Sequence, residues 1–536
     1  MALDKMKRSI VALGAVWPLL ASGGALAAEW HSAGQNIANT RHQAAETSIA
    51  PDTAARLGTK WVARLGGDIS ATPAVDADSV YVTDAAGRLY RLNRLTGEVV
   101  WKKPISHYTG VRGDSARTTP VIAGDLLILG SQGSRELFKD GARVIAVDKA
   151  TGEPVWQTII ETHPTAVITQ SAVVHDQEVY VGVSSWEEYV AAKVPDYDCC
   201  GFRGSLAALD VATGSLIWQT HTAPEADGYA GNAVWGSTPA IDPLRGLVYA
   251  TTGNSYAVPD GLLACLASAG TADASADAER DCIANEPENY VDAFVAFEIA
   301  TGDVVWGNSM ISFDAYTVSC YEPQLNPQNC PSPKGPDYDF AQGPALFRVT
   351  IDGRMHDLVG AGQKSGVYWA LDRDTGAVVW QTEVGPGSAL GGMEWGSATD
   401  GERIYVAVSN YAKRAWTLRG NGRDAGRRIY HGFWSALDAA TGEILWQTAD
   451  PNVDSPDMGA VTVANGVVFV GSMAGGPKAD TMFALDAATG EILWRYASGG
   501  SVNSGAAVAD GVVYWGSGYR LWGGRSNNRL YAFEVQ

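Results

Sequence analysis

Leu437–Trp446 reads LDAATGEILW, and the same ten residues recur unchanged at Leu485–Trp494. Looser copies are LNRLTGEVVW ending at Trp101, VDKATGEPVW at Trp156, LDVATGSLIW at Trp218, FEIATGDVVW at Trp306 and LDRDTGAVVW at Trp380. Each reads as a β-hairpin: an apolar strand, a polar residue, a Thr-Gly turn, then a β-branched strand ending in Trp. Glycine takes positive φ without steric cost, and the Asp caps its own turn. A lone hairpin cannot bury the Trp, so the ring is expected to wedge between neighbouring units. The chain is a repeat protein.

An eighth copy is split between the ends. The sequence stops at Leu530-Tyr-Ala-Phe-Glu-Val-Gln536, half of the phrase, while Gly58-Thr-Lys-Trp61 offers a Trp strand with nothing before it. A ring whose last blade takes strands from both termini leaves this pattern and has no open sheet edge. The expected fold is all-β: an eight-bladed propeller over 28–536, with a seven-bladed ring as the alternative. Spacing between the Trp residues runs from 40 (Trp61 to Trp101) to 88 (Trp218 to Trp306), so the long gaps hold inserted loops.

Composition narrows the partners. The net charge of −20, from 39 basic and 59 acidic side chains, disfavours nucleic acid and anionic membranes. Lys5, Lys7 and Arg8 precede an apolar run from Ile10 to Leu20, and Ala25-Leu26-Ala27 has the small-x-small form of a cleavage site. That is the pattern of a secretory signal over 1–27, giving a periplasmic protein without stable membrane insertion.

Export permits disulfides. Cys265 and Cys282 bracket one inserted loop, Cys320 and Cys330 another, and both pairs read as staples. Cys199 and Cys200 remain, adjacent, either bonded to each other or as thiols. No Cys-x-x-Cys-His occurs, so no covalently attached c-type haem is expected.

Polar residues concentrate at strand ends in the middle of the chain. Glu187, Asn254 and Asp339 are hard oxygen donors on successive blades, and strand ends converge on a propeller's axis. Together they suit one shared cation, with oxygen ligands favouring Ca²⁺.

With Cys199-Cys-Gly-Phe-Arg-Gly204, Gly391-Gly-Met-Glu-Trp-Gly396, and the opening Ala33-Gly-Gln-Asn36 with Asn39-Thr-Arg41, the chain resembles the pyrroloquinoline-quinone (PQQ) dependent alcohol dehydrogenases, in their polyvinyl-alcohol dehydrogenase branch. The Trp repeat alone is shared with non-enzymatic outer-membrane assembly propellers, which supply the scaffold alternative. The resemblance implies that Trp235 stacks beneath PQQ and that a Cys199–Cys200 bridge covers it. Thr169, Ser184 and Arg117 would hold its carboxylates, with Arg112 and Arg203 as competing arginines. Glu187, Asn254 and Asp339 would bind Ca²⁺. Asp339 would take the substrate hydroxyl proton, and Lys364 would hydrogen-bond the quinone oxygens. One departure is Ser70, where methanol-type members carry a Glu. Lanthanide-using relatives carry an extra carboxylate two residues beyond the catalytic Asp; here that position is Ala341, which points to Ca²⁺. The implied reaction is oxidation of a secondary alcohol such as polyvinyl alcohol, or of sugars or mycotoxin-like cyclic alcohols, with electrons passed to a separate acceptor, a soluble cytochrome c or another electron acceptor. Specificity is expected in the loops 254–290 and 312–338.

Overall fold

The computed structural model describes residues 28–134, 141–269, 282, 288–311, 313–321 and 326–536; the signal-like segment 1–27 lies outside them. Eight antiparallel sheets follow one another as blades, six of four strands and two extended by a short fifth strand. The first comprises Ala74–Val75, Ser79–Asp84, Arg88–Asn93 and Val99–Pro104. The eighth pairs Arg529–Val535 from the carboxyl end with Leu57–Arg64 from the amino end, setting Trp61 opposite Ala532. The expected split blade is therefore present, and the ring has eight blades.

The repeated phrase folds as its residues dictate. In LDAATGEILW, Asp438 Oδ1 accepts the N–H of Thr441 at 2.9 Å and its hydroxyl at 3.0 Å, closing the turn. The Trp of each blade reaches the turn of the next. Trp101 Nε1 donates to Lys149 O at 3.1 Å, Trp218 to Ile299 O at 2.8 Å, and Trp446 to Ala487 O at 3.0 Å. Trp494 donates to Leu57 O at 2.8 Å, which carries the same contact across the ring closure. The turn glycine lies against the indole face: a Cβ on Gly302 would sit 2.5 Å from the Trp218 ring, and its φ is +77°. Gly302→Ala is therefore expected to cost about 2–4 kcal/mol, from left-handed strain plus overpacking. Urea unfolding should show a lower midpoint at unchanged slope; a loss below about 0.5 kcal/mol would mean the turn and ring are loosely coupled.

The amino-terminal segment crosses the ring at the inner strands and makes backbone hydrogen bonds to several blades in turn. Trp30 pairs with Val75, Ile122 N donates to His31 O, Ile241 N to Ile37 O, Leu346 N to Ala38 O, and Thr399 N to Thr40 O. His42–Gln43 then runs parallel to Thr462–Ala464. The stretch from Ala33 to Arg41 thus joins the inner strands of several blades.

Candidate active site

Asp339 lies where two blades and an inserted loop converge. Its Oδ1 accepts Asn254 N at 2.6 Å, and its Oδ2 accepts Trp235 Nε1 at 3.1 Å and Lys364 Nζ at 3.0 Å. Lys364 also meets Asp337 Oδ1 at 2.7 Å. The ammonium stands 5.3 Å from the Trp235 ring centroid. Close approach is possible because Gly253 has no side chain; a Cβ there would lie 2.9 Å from Asp339 Oδ1 and 3.0 Å from Trp235 Nε1. Asn254 Nδ2 donates to Ser255 O and Tyr316 O, both at 2.8 Å, which fixes the amide with its oxygen as the remaining ligand atom.

Further carboxyls crowd the same lysine. Burial, reinforced by Asp339, pushes Glu188 up to about 8. Burial likewise raises Asp314 to about 6 and Glu394 to about 7, and holds Asp337 and Asp292 well above the usual carboxylate range. Asp314 positions the loop, accepting the N–H of Asp337 at 3.0 Å and of Tyr338 at 2.5 Å. Glu394 Oε1 is buried without a hydrogen-bond partner.

Glu187, expected among the metal ligands, is committed elsewhere. Its Oε1 accepts Tyr197 Oη at 2.8 Å and Gly201 N at 2.9 Å, while Oε2 accepts Phe202 N at 2.8 Å. The carboxylate anchors the loop that carries Cys199 and Cys200, which are bonded to each other across a cis peptide. Glu188 follows on the helix Glu187–Lys193 and is the acid that interacts with Asp339 and Lys364. That helix is braced by the second stapled loop: Asn326 Nδ2 donates to Ala191 O and Val194 O at 2.8 and 2.7 Å. Both staples are formed, with Cα separations of 5.7 Å for Cys265–Cys282 and 4.8 Å for Cys320–Cys330.

The other expected residues fall into two groups. Arg117 and Thr169 line a cavity of about 60 Å³ on the ring axis. Arg117 lies over the Trp395 ring at 4.6 Å, and Trp395 meets Trp235 edge-on at 5.6 Å, so the cavity adjoins the Asp339 centre. Cys200 and Trp235 pack against the same apolar cluster around Phe202 and Tyr256. Ser184 sits on the strand Glu178–Ser185 opposite Val167 and is not part of the cavity wall.

A family model described as outer membrane protein assembly factor BamB, a PQQ repeat family, matches residues 43–308 and 433–536. Polyvinylalcohol dehydrogenase of Sphingopyxis sp. (strain 113P3) is 31% identical over 90% of this chain and 72% of its own length. The enzyme of the same name from Pseudomonas sp. is 32% identical over 95% of this chain and 77% of its own. This chain belongs to the PQQ-dependent alcohol dehydrogenases, in the polyvinyl-alcohol dehydrogenase branch. The fold agrees: quinohemoprotein alcohol dehydrogenase from Comamonas testosteroni superposes with a TM-score of 0.68 at 18% identity, covering 95% of this chain and 80% of that one.

As a quinoprotein dehydrogenase, the chain acts on an alcohol and hands electrons to an acceptor. PQQ carries three carboxylates on a flat ring, and the site fits it. Trp235 offers an aromatic face beside Lys364, and the adjoining cavity combines Arg117 with hydroxyl groups. Among the described residues, no three His, Cys, Asp or Glu are arranged to hold a metal by themselves. A cation here would draw on Asn254 and cofactor oxygens as well. Glu188, Glu394 and Arg41, which lie near this centre or its adjoining cavity, had no role assigned from the sequence. Glu394 stood inside the quoted Gly391–Gly396 stretch, and the signal available for Glu188 was its adjacency to Glu187.

Proposed function

We propose that this chain oxidises a secondary alcohol, of the polyvinyl-alcohol type, in the periplasm, with PQQ and one Ca²⁺ held beside Asp339. The observation that carries the reading is Lys364 clamped between Asp337 and Asp339 over Trp235. Trp235 supports the quinone ring, Lys364 favours negative charge on its oxygens, and Arg117 with Thr169 receives carboxylate. When bound, PQQ supplies the two-electron acceptor for the alcohol's hydride. Asp339, oriented by three donors, takes the hydroxyl proton on its carboxylate as the hydride leaves. The apolar cluster around Phe202 and Tyr256 limits water behind Trp235. Screening the reconstituted protein against secondary alcohols, sugars and cyclic alcohols with an artificial acceptor tests the substrate class. Turnover of sugars alone would overturn it.

For the cation, Glu188 replaces Glu187 in the proposed ligand set, with Asn254 and Asp339. Carboxyls crowded round one lysine are what a hard cation relieves. Ala341 adds no charge beyond Asp339, whereas Asp337, two residues before it, does add one. Lys364 offsets Asp337, leaving Glu188 and Asp339 to match a divalent ion. Reconstitution with Ca²⁺ should therefore give more activity than with La³⁺; the reverse order contradicts the charge balance.

The remaining acidity suits a soluble cytochrome acceptor with a basic docking face. The rest of the surface is not uniformly acidic, since the hairpin Trp416–Thr417 with Arg428–Ile429 exposes Arg414, Arg419, Arg423, Arg427 and Arg428. Stopped-flow reduction of a basic cytochrome should slow several-fold between 0.01 and 0.1 M salt, as the Debye length falls from roughly 30 to 10 Å. A salt-independent rate would remove charge from docking. For location, no helix among the described residues is long and apolar enough to cross a membrane.

A further inference from the structure

The axial cavity has the opposite electrostatic character to the chain around it. Arg41 and Arg117 line it together with the hydroxyls of Ser70, Thr72, Thr119 and Ser171, and among the described residues no Asp or Glu forms part of its wall. Arg41 comes from the amino-terminal segment and is only 2% exposed. Its Nε donates to Val461 O at 3.0 Å and its Nη2 to the Thr72 hydroxyl at 2.9 Å. Both acceptors are neutral. No acidic neighbour offsets the burial of this guanidinium, which is pulled down to about 10. Its backbone is held at φ +51°, a left-handed conformation that an arginine rarely adopts.

A buried cation is costly unless an anion meets it, and hydrogen bonds to neutral oxygens do not supply that charge. Elsewhere the chain pairs its buried arginines: Arg373 meets Asp242 at 3.0 Å, and Arg94 meets Asp510 at 2.9 Å. Arg41 instead lines a cavity of about 60 Å³, room for a carboxylate group, walled by hydrogen-bonding groups. We propose that this end of the axial cavity is a carboxylate-binding site in which Arg41, with the Thr72 hydroxyl beside it, supplies the charge. The carboxylate has two possible sources. One is the quinone cofactor, reaching through the cavity that Trp395 joins to Trp235; this source rests on the PQQ reading above. The other is a small free carboxylate, and that source does not depend on the cofactor.

The test uses the full chain free of cofactor. Melting temperature is followed against acetate at constant ionic strength, and PQQ affinity by quenching of tryptophan fluorescence, for the wild type, Arg41→Met and Arg41→Lys. If the cofactor is the source, Arg41→Met weakens PQQ binding at least tenfold, Arg41→Lys weakens it less, and acetate competes with PQQ. If a free carboxylate is the occupant, acetate raises the melting temperature of the wild type but not of Arg41→Met, at equal PQQ affinity. Equal PQQ affinity and equal acetate response in wild type and Arg41→Met would overturn the site. Should Arg41→Met not fold, the wild type decides: neither stabilisation by acetate nor competition with PQQ overturns the proposal. A wild type that responds to acetate but binds no PQQ counts against the quinone reading and leaves the site standing.

Discussion

Asp339→Asn is expected to lower kcat about 10²–10⁴-fold while leaving the melting temperature close to that of the wild type. The amide retains one oxygen, which can still accept the Asn254 N–H and keep the loop's backbone anchor, while its NH2 takes the place of the Oδ2 that accepts Trp235 Nε1 and Lys364 Nζ. What disappears is the proton acceptor, together with one charge of the proposed cation site. Asp337 is the rival base, since Lys364 touches both carboxylates. The Asp337 carboxylate is held by Lys364, whereas that of Asp339 is set by three donors beside Trp235. Asp337→Asn is therefore expected to be the milder change in kcat. Activity of Asp339→Asn above about a tenth of wild type, with Asp337→Asn inactive, would transfer the role.

Lys364→Met has the largest expected effect on stability. It leaves Asp337 and Asp339, both buried, without the ammonium they share at 2.7 and 3.0 Å. Removing one partner of a buried ion pair typically costs about 3–5 kcal/mol, because the remaining charge is uncompensated. Turnover should fall with it, since Lys364 is the cation placed against Trp235. The double variant Lys364→Met/Asp339→Asn should recover part of the stability but none of the activity. If it is as unstable as the single variant, repulsion between the carboxylates is not the cause. Urea unfolding of the four proteins gives the coupling directly.

The ring was readable because its repeat is local: a turn, a β-branched strand and a Trp are all set within ten residues. The split eighth blade was readable for the same reason, each half being recognisable without the other. Asp339, Lys364, Trp235 and Asn254 were placed together by resemblance, and the structure joins them. Glu187 and Glu188 are adjacent in sequence but face different partners in the structure. They begin a helix, where successive side chains point about 100° apart, and the helix is oriented by loop 326–330 rather than by the repeat. Arg41 was quoted only as part of a family signature. Its partners Thr72 and Val461 stand on opposite sides of the split blade, and the contact exists only once the ring has closed. Glu394 was hidden in the same way, since the cations that offset its burial, Lys364 and Arg117, come from distant parts of the sequence.

The most direct test of the account is titration of the cofactor-free chain with PQQ in the presence of Ca²⁺, followed by addition of a secondary alcohol. One PQQ should bind saturably per chain, with quenching of tryptophan fluorescence that is lost in Trp235→Ala and alcohol-dependent reduction of an artificial acceptor. Absence of saturable PQQ binding, or binding that Trp235→Ala leaves unchanged with no alcohol-dependent reduction, would contradict it.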